Sequence, residues 1–247
     1  MNHSVLKSVI AVLLKNTQNG SIDLEKVRGS LKITNEIFNE IIYDMVSENA
    51  LTLDKGSVTI NREQRLGLAV KAIKIDADVR SISDDLGWLE FEELCAYVFE
   101  ENGFNTQRRF RFNAEGRRWE IDVLATQYPY IICAECKHWT KGIGNAAARN
   151  IIGTHVDKCE VFSSHIGELV KRIKIQRWEN AIIIPMALTL SRTEMKIYRK
   201  VPSVSILMLP SFLDGFYGQL ERIVHFKIDL PTYKPKPYQT RLSLHKA

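Results

Sequence analysis

The stretch EIDVLATQYPYIICAECKHW, Glu120 to Trp139, decides the fold. It reads as two apolar strands, residues 119–126 and 130–137, joined by a turn at Tyr128-Pro129. Strand side chains alternate between faces. Alternation puts Glu120, Asp122 and Leu124 on one face of the first strand, and Trp119, Ile121 and Val123 on the other. On the second strand Ile131, Cys133, Glu135 and Lys137 share a face. Folded as a hairpin, the pair brings Asp122 and Glu135 together at its open end, with Lys137 beside them. Two carboxylates and an ammonium group make a poor sheet interior but a useful reaction site. Paired carboxylates repel unless a cation lies between them. Mg2+ favours a few carboxylate oxygens, a carbonyl and waters. A nearby lysine can orient a water or steady charge developing on a phosphate.

Working outward, LEFEELCAYVFEENGF (residues 89–104) carries Phe91, Leu94, Cys95, Val98 and Phe99 at helical spacing, with Gly103 as its stop. Beyond the strands, a helical stretch from Asn145 to Lys171 leads to the buried strand NAIIIPMAL. SRTEMKIYRKV reads as a helix, SVSILML as a further buried strand, and PSFLDGFYGQLERIV as a last helix opening on Pro210. Helices alternating with apolar strands predict an α/β domain over residues 86–226, a central mixed sheet flanked by helices. Residues 61–85 read as a connecting helix and linker, and the Pro- and Lys-rich residues 227–247 as an extended basic tail.

Residues 1–60 have a different pattern. A helix from Ser4 to Lys15 is followed by the turn QNGSID, where Ser21 or Asp23 can cap a second helix running to Leu31. A third helix has Thr34 as N-cap and Ile37, Phe38, Ile41, Ile42, Met45 and Val46 as its apolar stripe. LTLDKGSVTI then alternates around Asp54-Lys55-Gly56, a hairpin signal. This order resembles a small winged helix-turn-helix domain. The third helix would be its groove-reading element, yet it carries Glu36, Glu40, Asp44 and Glu48 and no Lys or Arg. Phosphates would repel it. The expected role is binding a protein partner or dimerising, rather than reading sequence.

The net charge of +5 is modest, but its distribution is uneven. Residues 1–60 hold six Lys/Arg against seven Asp/Glu, residues 107–118 hold five Arg and one Glu, and residues 227–247 hold five Lys/Arg and one Asp. Positive charge gathered near the strand pair and in the tail suits a polyanion. No apolar run reaches the ~18–20 residues that span a bilayer. The N-terminal apolar residues (Val5, Leu6, Val9, Ile10, Leu13) are spaced for a core helix rather than a leader, so a cytoplasmic, nucleoid-associated protein is expected. Cys133 and Cys136 form a C-x-x-C inside a strand, where their thiols point to opposite faces and cannot share a metal. Cys95, Cys159, His155 and His165 fit no zinc spacing and read as packing.

Asp122, followed by Glu135-Cys136-Lys137 at the end of the next strand, resembles the PD-(D/E)xK nuclease motif. The helix FEELCAYVFEENGF is similar to the first helix of the branch holding Mrr-like type IV restriction endonucleases and archaeal Holliday junction resolvases. The resemblance covers about residues 86–220. It implies a restriction-endonuclease-like fold and Mg2+-dependent hydrolysis of DNA phosphodiesters, with Mn2+ as a substitute and a 5′ phosphate as product. By the same match Asp122, Glu135 and the Cys136 backbone carbonyl hold the metal. Glu92 completes the site directly or through water, with Glu93 as its rival should the alignment slip by one. Lys137 orients the attacking water. The family usually has small or apolar residues just before the motif aspartate; here Glu120 stands two before it. Glu120 is either an extra ligand or a solvent-facing strand residue. Arg108, Arg109, Arg111, Arg117, Arg118, Lys141 and Arg149 are candidate phosphate contacts. His138 is expected to be structural or phosphate-touching, and Trp139 to pack. Such enzymes usually act as homodimers, because cutting both strands needs two sites. The rival reading is a DNA-binding or scaffolding protein that keeps the fold without turnover. The substrate, whether methylated, branched, flapped or plain duplex, is not encoded in these motifs.

Overall fold

The computed structural model describes residues 3–18, 20–75, 77, 82, 86–137, 146–189 and 196–230. The N-terminal part consists of α1 (His3–Asn16), β1 (Ile22–Asp23), α2 (Leu24–Gly29), α3 (Asn35–Ser47), β2 (Thr52–Asp54) and β3 (Ser57–Thr59). Its strands form a three-stranded sheet in the order β1-β3-β2. The local signals act as expected. Asp23 caps α2 by accepting from the Glu25 and Lys26 amides at 2.8 and 3.2 Å, and Thr34 caps α3. Lys55 and Gly56 both take positive φ in the β2–β3 turn. The buried stripe of α3 is narrower than its periodicity predicts. Phe38, Ile41, Ile42 and Met45 are buried, but Ile37 and Val46, at the two margins, are 42% and 40% exposed.

The next helix, α4 (Arg62–Lys74), opens with a capping box between Asn61 and Gln64. It packs against α1 and against α5 (Trp88–Glu101). One hydrophobic core therefore runs from Leu6 and Val9 through Leu68 and Ala72 to Phe91, Leu94 and Phe99, and on to one face of the main sheet. The break between residues 60 and 61 is one of composition, not of packing. Gly103 ends α5 at φ +83°, where an added Cβ would meet the Gln127 side chain at 3.0 Å.

The main sheet holds β4 (Asn105–Ala114), β5 (Arg117–Gln127), β6 (Tyr130–Lys137), β7 (Asn180–Thr189), β8 (Lys196–Tyr198), β9 (Val201–Ser205) and β10 (Phe226–Asp229). Its order is β4-β5-β6-β7-β9-β8, with β10 pairing β7. The β4-β5-β6 meander is antiparallel, and β6, β7 and β9 are parallel. This is a mixed sheet of the restriction-endonuclease-like kind. On its second face lie α6 (Ala146–Ser164) and α7 (Ile166–Leu169), where Phe162 packs edge-on against Phe110 and Phe112. After β9, a 3-10 turn leads into α8 (Leu209–Gly215) on the first face, with Pro210 in its first turn. No helix among the described residues is long and apolar enough to cross a membrane.

Four elements depart from the sequence-based expectation. β4 falls in the arginine-rich segment, where Phe110, Phe112 and Ala114 point into the core between charged neighbours and a two-residue turn, Glu115-Gly116, reverses the chain at positive φ. Lys196–Tyr198 is a strand rather than a helix, because it pairs with β9. Phe226–Asp229, placed mostly in the basic tail, adds to the edge of β7. Finally, alternation along β5 breaks at Asp122: Trp119 and Ile121 pack in the α6-side core, whereas Val123 enters the α5-side core. The partner strand is irregular at the same level. Arg108 pairs with Val123 and Phe110 with Ile121, but Arg109 between them takes φ +50° and drops out of the ladder. Residues 231–247, most of the tail, lie outside the described residues.

Candidate active site

The β5–β6 ladder ends at Val123 and Ala134, so Asp122 and Glu135 face one another at the next step, where the strands part. The Cys136 amide leaves the ladder pattern and donates to Asp122 Oδ2 at 2.8 Å. In an extended strand the N–H and C=O of one residue point to the same edge, so the Cys136 carbonyl also faces Asp122. Its thiol lies on the opposite face with Cys95, while Cys133 lies with Cys159 in the other core. The two thiols of the C-x-x-C are thus separated by the sheet, as alternation requires.

Three cations surround Glu135. Lys137 Nζ is 2.7 Å from Oε1, Lys158 Nζ is 2.7 Å from Oε2, and His155 Nδ1 is 3.4 Å from Oε2. The Glu135 and Lys137 side chains are only 12% and 16% exposed. Burial alone would push the Glu135 carboxyl up, but His155, Lys158 and Lys137 hold it far below the usual range. Asp122 is less fully compensated among the described residues. Burial and the Glu135 charge push its carboxyl up to about 6, against the opposing pull of the Cys136 amide and the two lysines. The pair therefore divides its roles: Glu135 is neutralised by cations already present, and Asp122 is a carboxylate whose charge is poorly compensated.

His155 and Lys158 sit three residues apart on α6 and were not assigned to the site from sequence. His155 Nε2 lies 2.8 Å from the Cys133 carbonyl. A carbonyl only accepts, so Nε2 carries the proton. Nδ1 then faces a carboxylate, and only the imidazolium form makes that contact attractive. Burial works against the charge, while the Cys159 sulfur and Glu135 favour it, and the balance lies above the ordinary imidazole range. The reading of His155 as packing is correct for its burial and incomplete for its partner. An i, i+3 His–Lys pair was the available signal, but it is common on helix surfaces. His165, just past the end of α6, bonds the Val161 carbonyl of its last turn at 2.9 Å.

On the other side of the strand pair, α5 presents Glu92, 4% exposed, whose Oε2 accepts from Arg109 Nε at 2.9 Å. The charges of Glu92 and Asp122 both help to raise the buried Cys136 thiol, but Glu92 is paired with Arg109 of β4 rather than grouped with the carboxylate pair. Glu93 accepts from Arg62 of α4 at 2.6 Å and from Arg108 of β4. Glu120 pairs with Arg111 and is 39% exposed, which is the solvent-facing alternative of the two considered for it. Arg117 stacks on Trp119 at 3.6 Å from the ring centroid, and Arg118 is exposed beside it at the hairpin tip. Arg149 is exposed near the start of α6. His138, Trp139 and Lys141 lie outside the described residues.

Among the described residues, no three His, Cys, Asp or Glu side chains are grouped closely enough to hold an ion as a triad. What is present is a pair of carboxylates with a backbone carbonyl at its edge. That set fits a hard cation which keeps much of its water shell, and the raised Asp122 carboxyl is the repulsion such a cation would relieve.

Residues 83–182 match a family model described as restriction endonuclease. An uncharacterized protein of Archaeoglobus fulgidus is 34% identical over 82 residues, which are 33% of this chain and 64% of that protein. The alignment thus spans less than two thirds of the relative. The solved structure of protein VC1899 from Vibrio cholerae aligns over 89% of this chain and 51% of its own, at 12% identity and a TM-score of 0.33, a likeness too weak to carry an argument.

Proposed function

We propose that the restriction-endonuclease-like domain carried by residues 83–182 makes this protein a divalent-cation-dependent DNA endonuclease. One observation supports it above all: Asp122 and Glu135 meet at the parting of β5 and β6 with Lys137 on Glu135, and burial beside the Glu135 charge holds the Asp122 carboxyl up near 6. In this reading Asp122, Glu135 and the Cys136 carbonyl would hold Mg2+ or Mn2+, and Glu92, which is paired with Arg109 and not grouped with them, would contribute only through water. The bound ion supplies Lewis acidity toward the phosphate and an acidified water. Lys137, anchored on Glu135 Oε1, orients the water for attack. His155 and Lys158 keep the Glu135 carboxylate ionised and fixed in direction. The Cys136 amide does the same for Asp122. Arg108 and Arg109 contact the DNA backbone beside the site, and Arg117 and Arg118 extend that surface along the hairpin. The N-terminal unit, whose third helix is acidic, serves for pairing two copies or for binding a protein partner, since a double-strand break needs two such sites.

The test is supercoiled plasmid incubated with purified protein in Mg2+, in Mn2+ and in EDTA, beside the Lys137→Ala variant. The proposal expects nicking in either metal, none in EDTA, and a loss of about 100-fold or more in the variant. Absence of metal-dependent nicking, or equal nicking by Lys137→Ala, returns the fold to a binding or scaffolding role.

A further inference from the structure

A cleft of about 450 Å³ between α5 and β4 is lined by Arg62, Arg108 and Arg109 and by two carboxylates, Glu93 and the Arg109-paired Glu92. Two of its arginines converge on a single atom: Glu93 Oε1 takes Arg62 at 2.6 Å and also Arg108. The Arg62 and Arg108 side chains are 45% and 49% exposed, while Glu93 is 13% exposed. A guanidinium has five N–H donors in a planar fork, and a structural pair uses two of them on two oxygens. Here each arginine meets Glu93 through one terminal nitrogen, and the two positive groups are crowded at one oxygen. Arg109 joins them from the neighbouring position on β4, at φ +50° and 35% exposed. That position falls between the Arg108–Val123 and Phe110–Ile121 pairs, at the level of Asp122 on β5. The positive φ lifts Arg109 out of the strand ladder, so that three guanidinium groups gather at one cleft.

A tetrahedral phosphate, with several anionic oxygens at the spacing of a guanidinium fork, is the ligand this array accommodates. We propose that the cleft binds a backbone phosphate of DNA adjacent to the one cleaved. Arg62 then supplies a contact from outside the matched segment, and Glu93 is a stand-in anion that holds both arginines in place until the phosphate displaces it. The inference rests on the nuclease reading. It gives α4, the helix between the N-terminal part and the matched segment, a direct share of the DNA surface that the acidic α3 does not offer.

The experiment is fluorescence anisotropy of a labelled DNA duplex in EDTA across a salt series, with the full chain. Arg62→Gln is expected to weaken binding about 5-fold and to flatten the slope of log K against log salt by about 1. Arg62→Lys keeps the slope and part of the affinity. Glu93→Gln removes the competing anion and tightens binding about 3-fold, the opposite sign to Arg62→Gln. If Arg62→Gln and Glu93→Gln both weaken binding, the cluster is merely structural and the inference fails. It fails equally if Arg62→Gln matches the wild type in affinity and slope. Should the wild type neither bind the duplex nor nick plasmid, the nuclease reading falls and this inference with it. Intact plasmid nicking with unaltered Arg62→Gln binding overturns the inference alone.

Discussion

Glu90 and Glu93 stand one turn apart on α5, and arginines of α4 reach both, yet the two contacts are built differently. Glu90 uses both oxygens. Arg65 Nε donates to Oε1 at 2.7 Å and the Gly87 amide to Oε2 at 2.7 Å, while Arg65 also reaches the Leu14 carbonyl and the Thr17 hydroxyl. Both side chains are under 10% exposed. Glu93 shares one oxygen between two half-exposed arginines. The first contact is closed: every polar direction is filled from within, and its work is to lock α1, α4 and α5 together. The second leaves both guanidinium groups about half exposed, as the proposed displacement by a phosphate requires. Between them on the same helix is Glu92, buried like Glu90 but paired with Arg109 of β4. The lesson is that satisfaction, more than charge, separates an ion pair that holds a fold from one available to a ligand.

The largest effect should come from breaking the closed contact. Arg65→Ala leaves the Glu90 carboxylate buried without its cation and is expected to cost about 3–5 kcal/mol of stability. Chemical denaturation measures it, and a loss below about 1 kcal/mol would mean the contact is not closed at all. Asp122→Asn comes next. It should reduce metal-dependent nicking by at least about 100-fold, equivalent to ~2.7 kcal/mol of barrier, while raising the melting temperature, because it removes a carboxylate that Glu135 repels. A variant that loses activity and stability together would point to misfolding. His155→Ala removes the imidazolium and opens a cavity under Glu135, with an expected cost of about 1–3 kcal/mol. Conversely, Arg62→Ala should change stability by less than about 1 kcal/mol, as exposed pairs do.

The pH dependence follows from the Asp122 carboxyl, pushed from 3.8 up to about 6. A folded-state value above the unfolded one means that the protonated form is favoured in the fold. That contribution is complete below about pH 4 and is lost as the pH rises through about 6. The stability difference between wild type and Asp122→Asn should therefore widen between pH 4 and 6, in favour of the variant, and then level off. Melting curves across that range show it directly, and a flat difference would contradict the assignment.

The carboxylate cluster is legible in the sequence because its assembly needs only local rules. Asp122, Glu135 and Lys137 come together through alternation and one hairpin, and these are properties of twenty consecutive residues. The alternation rule fails one residue from Asp122, where Ile121 and Val123 enter different cores, since the neighbouring strand is distorted at Arg109. β4 was hidden for a related reason: Arg108, Arg109 and Arg111 obscure an apolar face made by Phe110, Phe112 and Ala114. Lys158, His155 and Arg62 reach their partners through helix packing, over separations of 20 to 31 residues from Glu135 or Glu93, and no sequence period records such distances. The C-x-x-C is the converse case, where strand geometry correctly cancels a motif that composition alone would favour.

The most direct test of the central claim is a Mn2+ titration followed by electron paramagnetic resonance, comparing wild type with Asp122→Asn at pH 7.5. If the Asp122–Glu135 pair seats the cation, the wild type binds about one Mn2+ per chain and the variant at least 10-fold more weakly. Equal binding by both proteins, or none by the wild type, would contradict it.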